Sequence, residues 1–351
     1  MGRERERAGD EFEARPARAG HGRRFFRGVV GGLAAVLLAG AAVVGVYLAG
    51  LAHSYDTKTQ KIENAFPEPA VRPAKPALPN GGAAMNILVL GSDARPAALD
   101  AAEQAGASDQ RSDSMMLVHV PADRRNIYIM SIMRDTWVQI PGHGEAKINA
   151  AMAYGGIPLV VQTVEGILDV PVDHVAILDF EGFKSMTDAL GGVEVDVPIA
   201  FSATGFDFAA GTQLLSGDKA LVFVRERYAF ADGDYQRVRN QQLFLKAVMG
   251  KLLTAETLSN PARISTIVDG VSPFLTVDRS LDSVAVGRLV IELRNVRSAD
   301  MESFTLPNSG TGWSLDGQSI VVPDQAAIDA VGAALKADTL GQYLAAAGQD
   351  A

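Results

Sequence analysis

Two carboxylates and a scattered set of arginines are the residues of this sequence whose types and spacing suit chemistry on phosphate. Asp93 lies just past the apolar run NILVLG, in GSDAR, and Asp113 lies in QRSDSMMLV, where the next apolar run opens. Open α/β sheets place ligands where the chain leaves the carboxyl ends of strands. Two carboxylates at neighbouring strand ends can share a hard cation such as Mg²⁺, whose small oxygen shell takes one or two protein carboxylates plus substrate phosphates. Taken alone, Asp93 reads sooner as a turn aspartate bonded to its own backbone. The pairing is what favours a cation.

Arg134 follows the run IYIMSIM and precedes Asp135. A surface ion pair with Asp135 is one reading, but an arginine delivered by a buried strand needs an anionic partner, and a pyrophosphate matches its planar fork better than water does. Lys147, in KINAA, either adds a point charge or lies on an exposed helix face. Arg225 and Arg227, in VRERY, are two residues apart, which in an extended segment points both to one side and lets them clamp adjacent phosphates. Solvent-facing charges at the end of an element are the other reading of that pair. Asp234, Arg237 and Gln241, in DYQRVRNQQ, are spaced by three and four, so they share a face at the start of a long helix. Helix-face pairing accounts for Asp234 with Arg237, but not for a polar triad opening the amphipathic LFLKAVMGKLL. Arg111 and Arg239 fall in similar short, otherwise apolar or turn-rich stretches. If these guanidiniums converge, they form a local anion site.

The elements that must position them follow from hydrophobic period. From about residue 83, apolar runs of strand length alternate with helix-period segments, the pattern of an α/β domain. MNILVLG, MMLVHV and NIYIMSI read as buried strands, HVAILDF as another, FEGFKSMTDAL as a helix and VEVDVP as a strand. Lys147 to Leu168 reads as two helical pieces divided at Gly155 to Pro158. Leu214 to Val224 carries both periods, with Ser216 placed to cap a helix, and a helix ending near Val224 is expected. Tyr235 to Leu253, Asp282 to Leu293 and Asp324 to Leu335 read as helices, with strands at Ser303 to Leu306 and Ser319 to Val322.

Gly28 to Ala52 is uncharged and free of proline, long enough at about 1.5 Å per residue to cross roughly 30 Å of hydrocarbon. Eight arginines precede it against five acids, so the positive-inside bias sets residues 1–27 as a cytoplasmic tail and everything after Ala52 outside. A cleaved signal peptide, with small Gly50 and Ala52 at cleavage-like spacing, is the alternative, but the run is too long for an ordinary signal core. Residues 53–82, proline-punctuated, read as an extracytoplasmic linker that lifts the domain off the membrane, and 83–351 as the catalytic domain. With no cysteine, disulfides and thiolate chemistry are excluded. The net charge is −9 overall and about −12 without the basic tail, which argues against nucleic acid as a partner.

In this order, NILVLGSDAR, RSDSMMLV, SIMRDTWVQIPG, KINAAMAYGG, HVAILDFEGFKSMTDALGGVEVDVP, LSGDKALVFVRER and GDYQRVRNQQ resemble successive signatures of the LytR-CpsA-Psr family, from about Met85 to Leu253 and more loosely to the C-terminus. The resemblance implies a cell-membrane protein with one N-terminal transmembrane helix and an extracytoplasmic α/β domain, an α-β-α sandwich with a central mixed sheet that buries a polyprenyl chain. It implies transfer of a glycopolymer with its linking phosphate from a polyprenyl pyrophosphate carrier to a peptidoglycan hydroxyl, as a phosphodiester. By carry-over, Asp93 and Asp113 ligate Mg²⁺ or Mn²⁺. Arg111, Arg134, Lys147, Arg225, Arg227, Arg237 and Gln241 bind pyrophosphate, with Arg134, Arg225, Arg227 and Asp234 in catalytic roles. The family often carries a further arginine where this sequence has Asn240, so Asn240 is assigned no phosphate contact. Phosphoryl transfer needs chiefly positioning and charge neutralisation, which a metal and arginines supply, and Asp234 is a candidate proton acceptor. Apolar residues of LVVQTVEGILDV, HVAILDF and FKSMTDAL could line a lipid channel, although core packing is the ordinary role of each. Two rivals remain at this stage: a polyprenyl-pyrophosphate pyrophosphatase with water as acceptor, and a non-enzymatic lipid-binding regulator of the envelope.

Overall fold

The apolar runs become strands because each residue in them finds a partner layer. The structure, a computed structural model, describes residues 41–78, 81–92 and 112–348; Asp93 and Arg111 lie outside them. Seven strands form a mixed sheet in the order β1-β12-β7-β2-β3-β4-β13. They are β1 (Gln60–Ile62), β2 (Met85–Ser92), β3 (Ser112–Val120), β4 (Ile127–Ile132), β7 (His174–Asp179), β12 (Leu275–Asp278) and β13 (Met301–Thr305). β7, β2, β4 and β13 run in one direction, and β3, β12 and β1 in the other.

Alternate residues of the runs serve opposite layers, which explains why the runs read as continuously apolar. Leu88, Leu90, Met115, Leu117, Met130 and Ile132 pack with Val160, Val164 and Leu168 of α1 (Ala150–Leu168) and with Ile328, Val331 and Leu335 of the helix Gln325–Ala337. Met116, Val118, Ile127 and Ile129 face the other way, toward Leu253, Leu293 and the side of Leu245. The expected α-β-α sandwich is therefore present. α1 is broken as expected: Gly155 (φ −155°, ψ 23°) and Gly156 (φ 62°, ψ −157°) are non-helical, and Gly156 has a backbone that side-chain-bearing residues rarely adopt. Among the described residues α1 is the helix long and apolar enough to cross a membrane, yet half of it is buried in the core.

Several expectations change. Lys147 is not helical; it ends a hairpin, β5 (Trp137–Ile140) with β6 (Gly144–Lys147), turned at Gly142 and Gly144, whose φ values are +77° and +78°. The helix begins three residues later because pairing with β5 holds the chain extended. Both periods in Leu214 to Val224 are real in part. β11 (Gly211–Leu215) pairs with β8 (Val193–Val197) outside the main sheet, and α3 (Gly217–Arg225) follows Ser216, with α2 (Phe180–Ala189) beside it.

The segment expected as a linker belongs to the domain body. β1 pairs in parallel with β12, Ile62 and Ala65 enter the core, and Arg72 forks onto the buried Glu165 with Nε–Oε1 3.0 Å and Nη2–Oε1 2.6 Å. The chain divides into two compact units between Gly50 and Leu51. Of the expected anchor, residues 28–40 lie outside the described residues, while 41–58 are helical with Val43, Val44, Val46 and Leu48 exposed.

Glu165 is 1% exposed and also accepts from the Val172 amide, so its carboxylate depends on Arg72 for neutralisation. Breaking such a pair from one side costs about 3 kcal/mol or more. Arg72→Ala should lower unfolding stability by roughly that amount in urea titration, and an unchanged midpoint would refute the assignment.

Candidate active site

Because four strands point the same way, their carboxyl ends deliver side chains to one edge of the sheet. β2 ends at Gly91 and Ser92, which pair with Ser114 and Ser112 of β3; the irregularity between them leaves Asp113 as the extra residue at that end. β4 runs into Met133 and Arg134, and β7 into Asp179, whose carboxylate caps α2 by accepting from the Gly182 amide at 2.7 Å. The turn carrying Arg134 is tied down by backbone bonds from three directions. Asn149 N donates to Arg134 O at 3.2 Å, Ile148 N to Thr136 O at 2.8 Å, and Val321 N to Asp135 O at 2.9 Å.

Above this edge opens a cavity of about 320 Å³ with two chemically distinct parts. Its depth is apolar: Val89, Met116 and Leu178 from the strands, Phe180, Phe183 and Met186 from α2, Leu221 and Val224 from α3, and Phe244, Leu245 and Val248 from α4 (Asp234–Leu252). Its mouth carries Arg134, Arg225, Arg227, Arg237, Gln241, Tyr228 and Ser114. An amphipathic ligand, with an anionic head and a hydrocarbon tail, is what such a cavity accepts.

The guanidiniums are organised by one carboxylate. Asp234 Oδ2 lies 3.0 Å from Arg237 Nη2 and 3.6 Å from Arg134 Nε, while Oδ1 lies 3.5 Å from Arg227 Nη1. Asp135 sits 3.7 Å from Arg134 and 3.2 Å from Lys147 Nζ, so Lys147 joins the network at its periphery and is not on the cavity wall. Arg225, the last residue of α3, lies 4.4 Å over the Phe180 ring, a cation–π contact that presents its fork to the mouth. The helical end of α3 puts Arg225 and Arg227 on different local backbones, so the expected extended pair is replaced by two separately placed arginines. Arg227 donates to the Tyr228 hydroxyl at 2.6 Å; that bond, reinforced by the charge of Asp234, raises its pKa further and keeps it charged despite partial burial. The N-terminus of α4 opens at this mouth, adding the positive end of its dipole. Gln241 accepts from Ser114 Oγ and donates to Val224 O, both at 3.2 Å, which fixes its amide.

Arg134, Arg225, Arg227, Asp234, Arg237 and Gln241 thus converge as the sequence suggests. Asn240 is a structural residue, 1% exposed and bonded to Gln236 and the Phe223 carbonyl, and Arg239 pairs with Asp232 away from the cavity wall. The backbone of Asp113 adjoins Ser114, which lines the mouth, and Asp93 lies outside the described residues. Among the described residues no group of three or more His, Asp or Glu is placed to hold a metal. Tyr228 was missed by motif reasoning, although VRERY places it beside an expected arginine, whereas the Arg134–Asp135 ion pair read from the sequence is present at 3.7 Å. Of the apolar stretches expected to line a channel, Leu178, Phe180, Phe183 and Met186 do so, whereas Val160, Val161 and Val164 fill the core.

The LytR_cpsA_psr family model matches residues 44–337. The chain is 31% identical over 72% of its length to the polyisoprenyl-teichoic acid–peptidoglycan teichoic acid transferase TagU of Enterococcus faecalis, covering 78% of that protein. It is 33% identical over 80% of its length to the transferase TagT of Bacillus subtilis, covering 87% of that protein. Among solved structures, TagV of B. subtilis superposes with a TM-score of 0.62 at 27% identity, over 73% of this chain and 97% of that one. TagT bound to LI-WTA superposes with a TM-score of 0.58 at 26% identity, over 80% and 99%.

An arginine in charge-assisted contact with phosphate contributes about 1.5–3 kcal/mol, or roughly 10- to 100-fold in affinity. Arg134→Ala should weaken inorganic pyrophosphate binding by that factor in calorimetric titration, whereas Arg239→Ala should leave it unchanged.

Proposed function

We propose a function from a premise that the comparisons establish: the chain belongs to the LytR-CpsA-Psr family. It transfers a glycopolymer, with its linking phosphate, from a polyprenyl pyrophosphate carrier to a hydroxyl of peptidoglycan. The observation that carries this reading is the cavity itself, whose arginine mouth and apolar depth match a pyrophosphate joined to a polyprenyl tail. The names of the relatives supply the polymer class and the acceptor. The solved structure of TagT bound to LI-WTA supports a similar seat here.

In the reaction the acceptor oxygen attacks the phosphorus that bears the polymer. The bond from that phosphorus to the bridging oxygen breaks, polyprenyl phosphate leaves with the electron pair, and the hydroxyl proton passes to solvent or a carboxylate. Arg134, Arg227 and Arg237 hold the non-bridging oxygens and stabilise the charge that spreads over them. Arg225 is placed to hold the outgoing phosphate at the cavity rim. Asp234 has both oxygens directed at guanidiniums, which favours a positional and electrostatic role over proton transfer. Asp93 and Asp113 would hold Mg²⁺ or Mn²⁺, which when bound neutralises pyrophosphate charge and aids departure of the leaving group.

The uncharged run Gly28 to Ala52 supports a single-pass membrane anchor with the N-terminus in the cytoplasm and the domain outside, where the donor's pyrophosphate bond supplies the driving force.

Full-length protein in detergent, given lipid-linked glycopolymer, Mg²⁺ and nascent peptidoglycan, should release polyprenyl phosphate and form covalent polymer-peptidoglycan product. Arg134→Ala should cut both by about 100-fold or more, in the range seen when an oxyanion donor is removed. Release without transfer would favour the pyrophosphatase, and normal wall assembly by Arg134→Ala in cells would favour the regulator. Leu245→Trp, which fills the apolar depth, should raise the KM for long-chain donors while inorganic pyrophosphate binds as before.

A further inference from the structure

The hairpin of β14 (Asn308–Trp313) and β15 (Ser319–Pro323) leaves the carboxyl end of β13, the same edge that carries Arg134. It is fastened to the arginine site. Val321 bridges Thr136 in parallel and packs with Met133, Val238 and Tyr235, and the Tyr235 hydroxyl donates to Asn308 Oδ1 at 2.9 Å. Yet the tip holds a large indole in water: Trp313 is 76% exposed. A large indole held in water offers a flat apolar face to a ligand, and its local backbone is built to hold it still. Ser314 N donates to Gln318 O at 2.9 Å and Gly317 N to Ser314 O at 3.0 Å, closing the turn.

A bulge decides which way the tryptophan faces. Asn308 pairs with Pro323 and Thr311 with Val321, so β14 carries one extra residue, at Gly310 with φ +94°. That extra residue restores Asn308, Thr311 and Trp313 to one face, the face of Val321, which is the face packed toward the site. Trp313 is paired with Ser319, and the hairpin is joined to the turn that carries Arg134 by the Thr136–Val321 bridge and by Val321 N donating to Asp135 O at 2.9 Å.

We infer that this hairpin face, Trp313 with the exposed Thr311 and Ser319, is the seat of the acceptor glycan. The inference rests on the transfer reading of the arginine site. A pyranose presents an apolar face of C–H bonds that lies on the electron-rich face of an indole, while flanking hydroxyls bond its ring substituents. Because the hairpin is fastened to the turn that carries Arg134, a glycan lying on Trp313 is held beside the arginine site. The division of the sheet agrees. The apolar cavity lies toward β7 and α2, and the hairpin beyond β4 and β13, so lipid and glycan approach from opposite sides. A bilayer is the other surface that covers tryptophan. The tip sets the exposed Leu315 among Ser314, Asp316 and Gln318, and the observation that disfavours a bilayer is that the segment following the expected anchor joins the sheet at β1, the edge opposite β13.

The chain has two tryptophans, so in full-length Trp137→Phe protein Trp313 is the sole indole reporter. Titration with an uncross-linked tetrasaccharide of alternating N-acetylglucosamine and N-acetylmuramic acid should shift its emission to the blue and saturate. In the transfer assay Trp313→Ala should raise the KM for glycan acceptor by roughly tenfold, with kcat and donor KM unchanged, and Trp313→Tyr should restore most of it. Emission that ignores glycan, with wild-type acceptor KM in Trp313→Ala, would overturn the seat. So would a shift with phosphatidylglycerol vesicles alone. Saturable glycan binding at Trp313 in a protein that transfers nothing would uphold the seat and sink the transfer reading instead.

Discussion

Guanidiniums crowded at the rim of an apolar cavity repel one another, and the whole site depends on how that repulsion is held in check. Asp234 does so from the centre, touching Arg134, Arg227 and Arg237 with two oxygens. With Asp135 at its periphery, this one central carboxylate among several arginines leaves a net positive mouth, which suits an anionic ligand. Low exposure sharpens the effect, since Arg237 is only 7% exposed and charge interactions strengthen where water is excluded. The arrangement also keeps the forks in place before ligand arrives, so little ordering is left for binding to supply.

That carboxylate can reach three arginines only because separate elements end at one place. Arg134 comes from the end of β4, Arg227 from beyond α3, and Asp234 with Arg237 from the first turn of α4. The parallel run of β7, β2, β4 and β13 collects such ends on one edge, and the backbone bonds from Ile148, Asn149 and Val321 stop the Arg134 turn from drifting. Behind them the sheet is covered on both faces, which makes that edge a firm support.

What could be read from the residues alone follows the strength of local pattern. β2, β3, β4 and β7 were legible because burial on both faces leaves unbroken apolar runs, and α4 because its period is long. β1 and β12 were not: QKI and LTVD are too short to carry a period, and they are strands because they pair with each other at the sheet edge. The β5–β6 hairpin was missed although PGHGEAK holds two glycines suited to a turn, since GEAK has little strand character of its own. At the site, the arginines and Asp234 were legible through their cost of burial and their order. The cavity walls were not, because an apolar side chain reads the same whether it fills a core or lines a gap. Phe183 and Val164 differ only in what the rest of the chain packs against them.

The edge strand β1 also bears on how the domain can be cut from its anchor. A soluble form begun after the proline-rich stretch would lose β1 and Arg72 together. Its sheet would then end at β12 with an open row of amides and carbonyls, a template for chain-to-chain association, and Glu165 would be left with a buried charge. The boundary that respects the fold lies upstream of Tyr55, whose buried ring and hydroxyl bond to the Leu281 carbonyl already belong to the body of the domain.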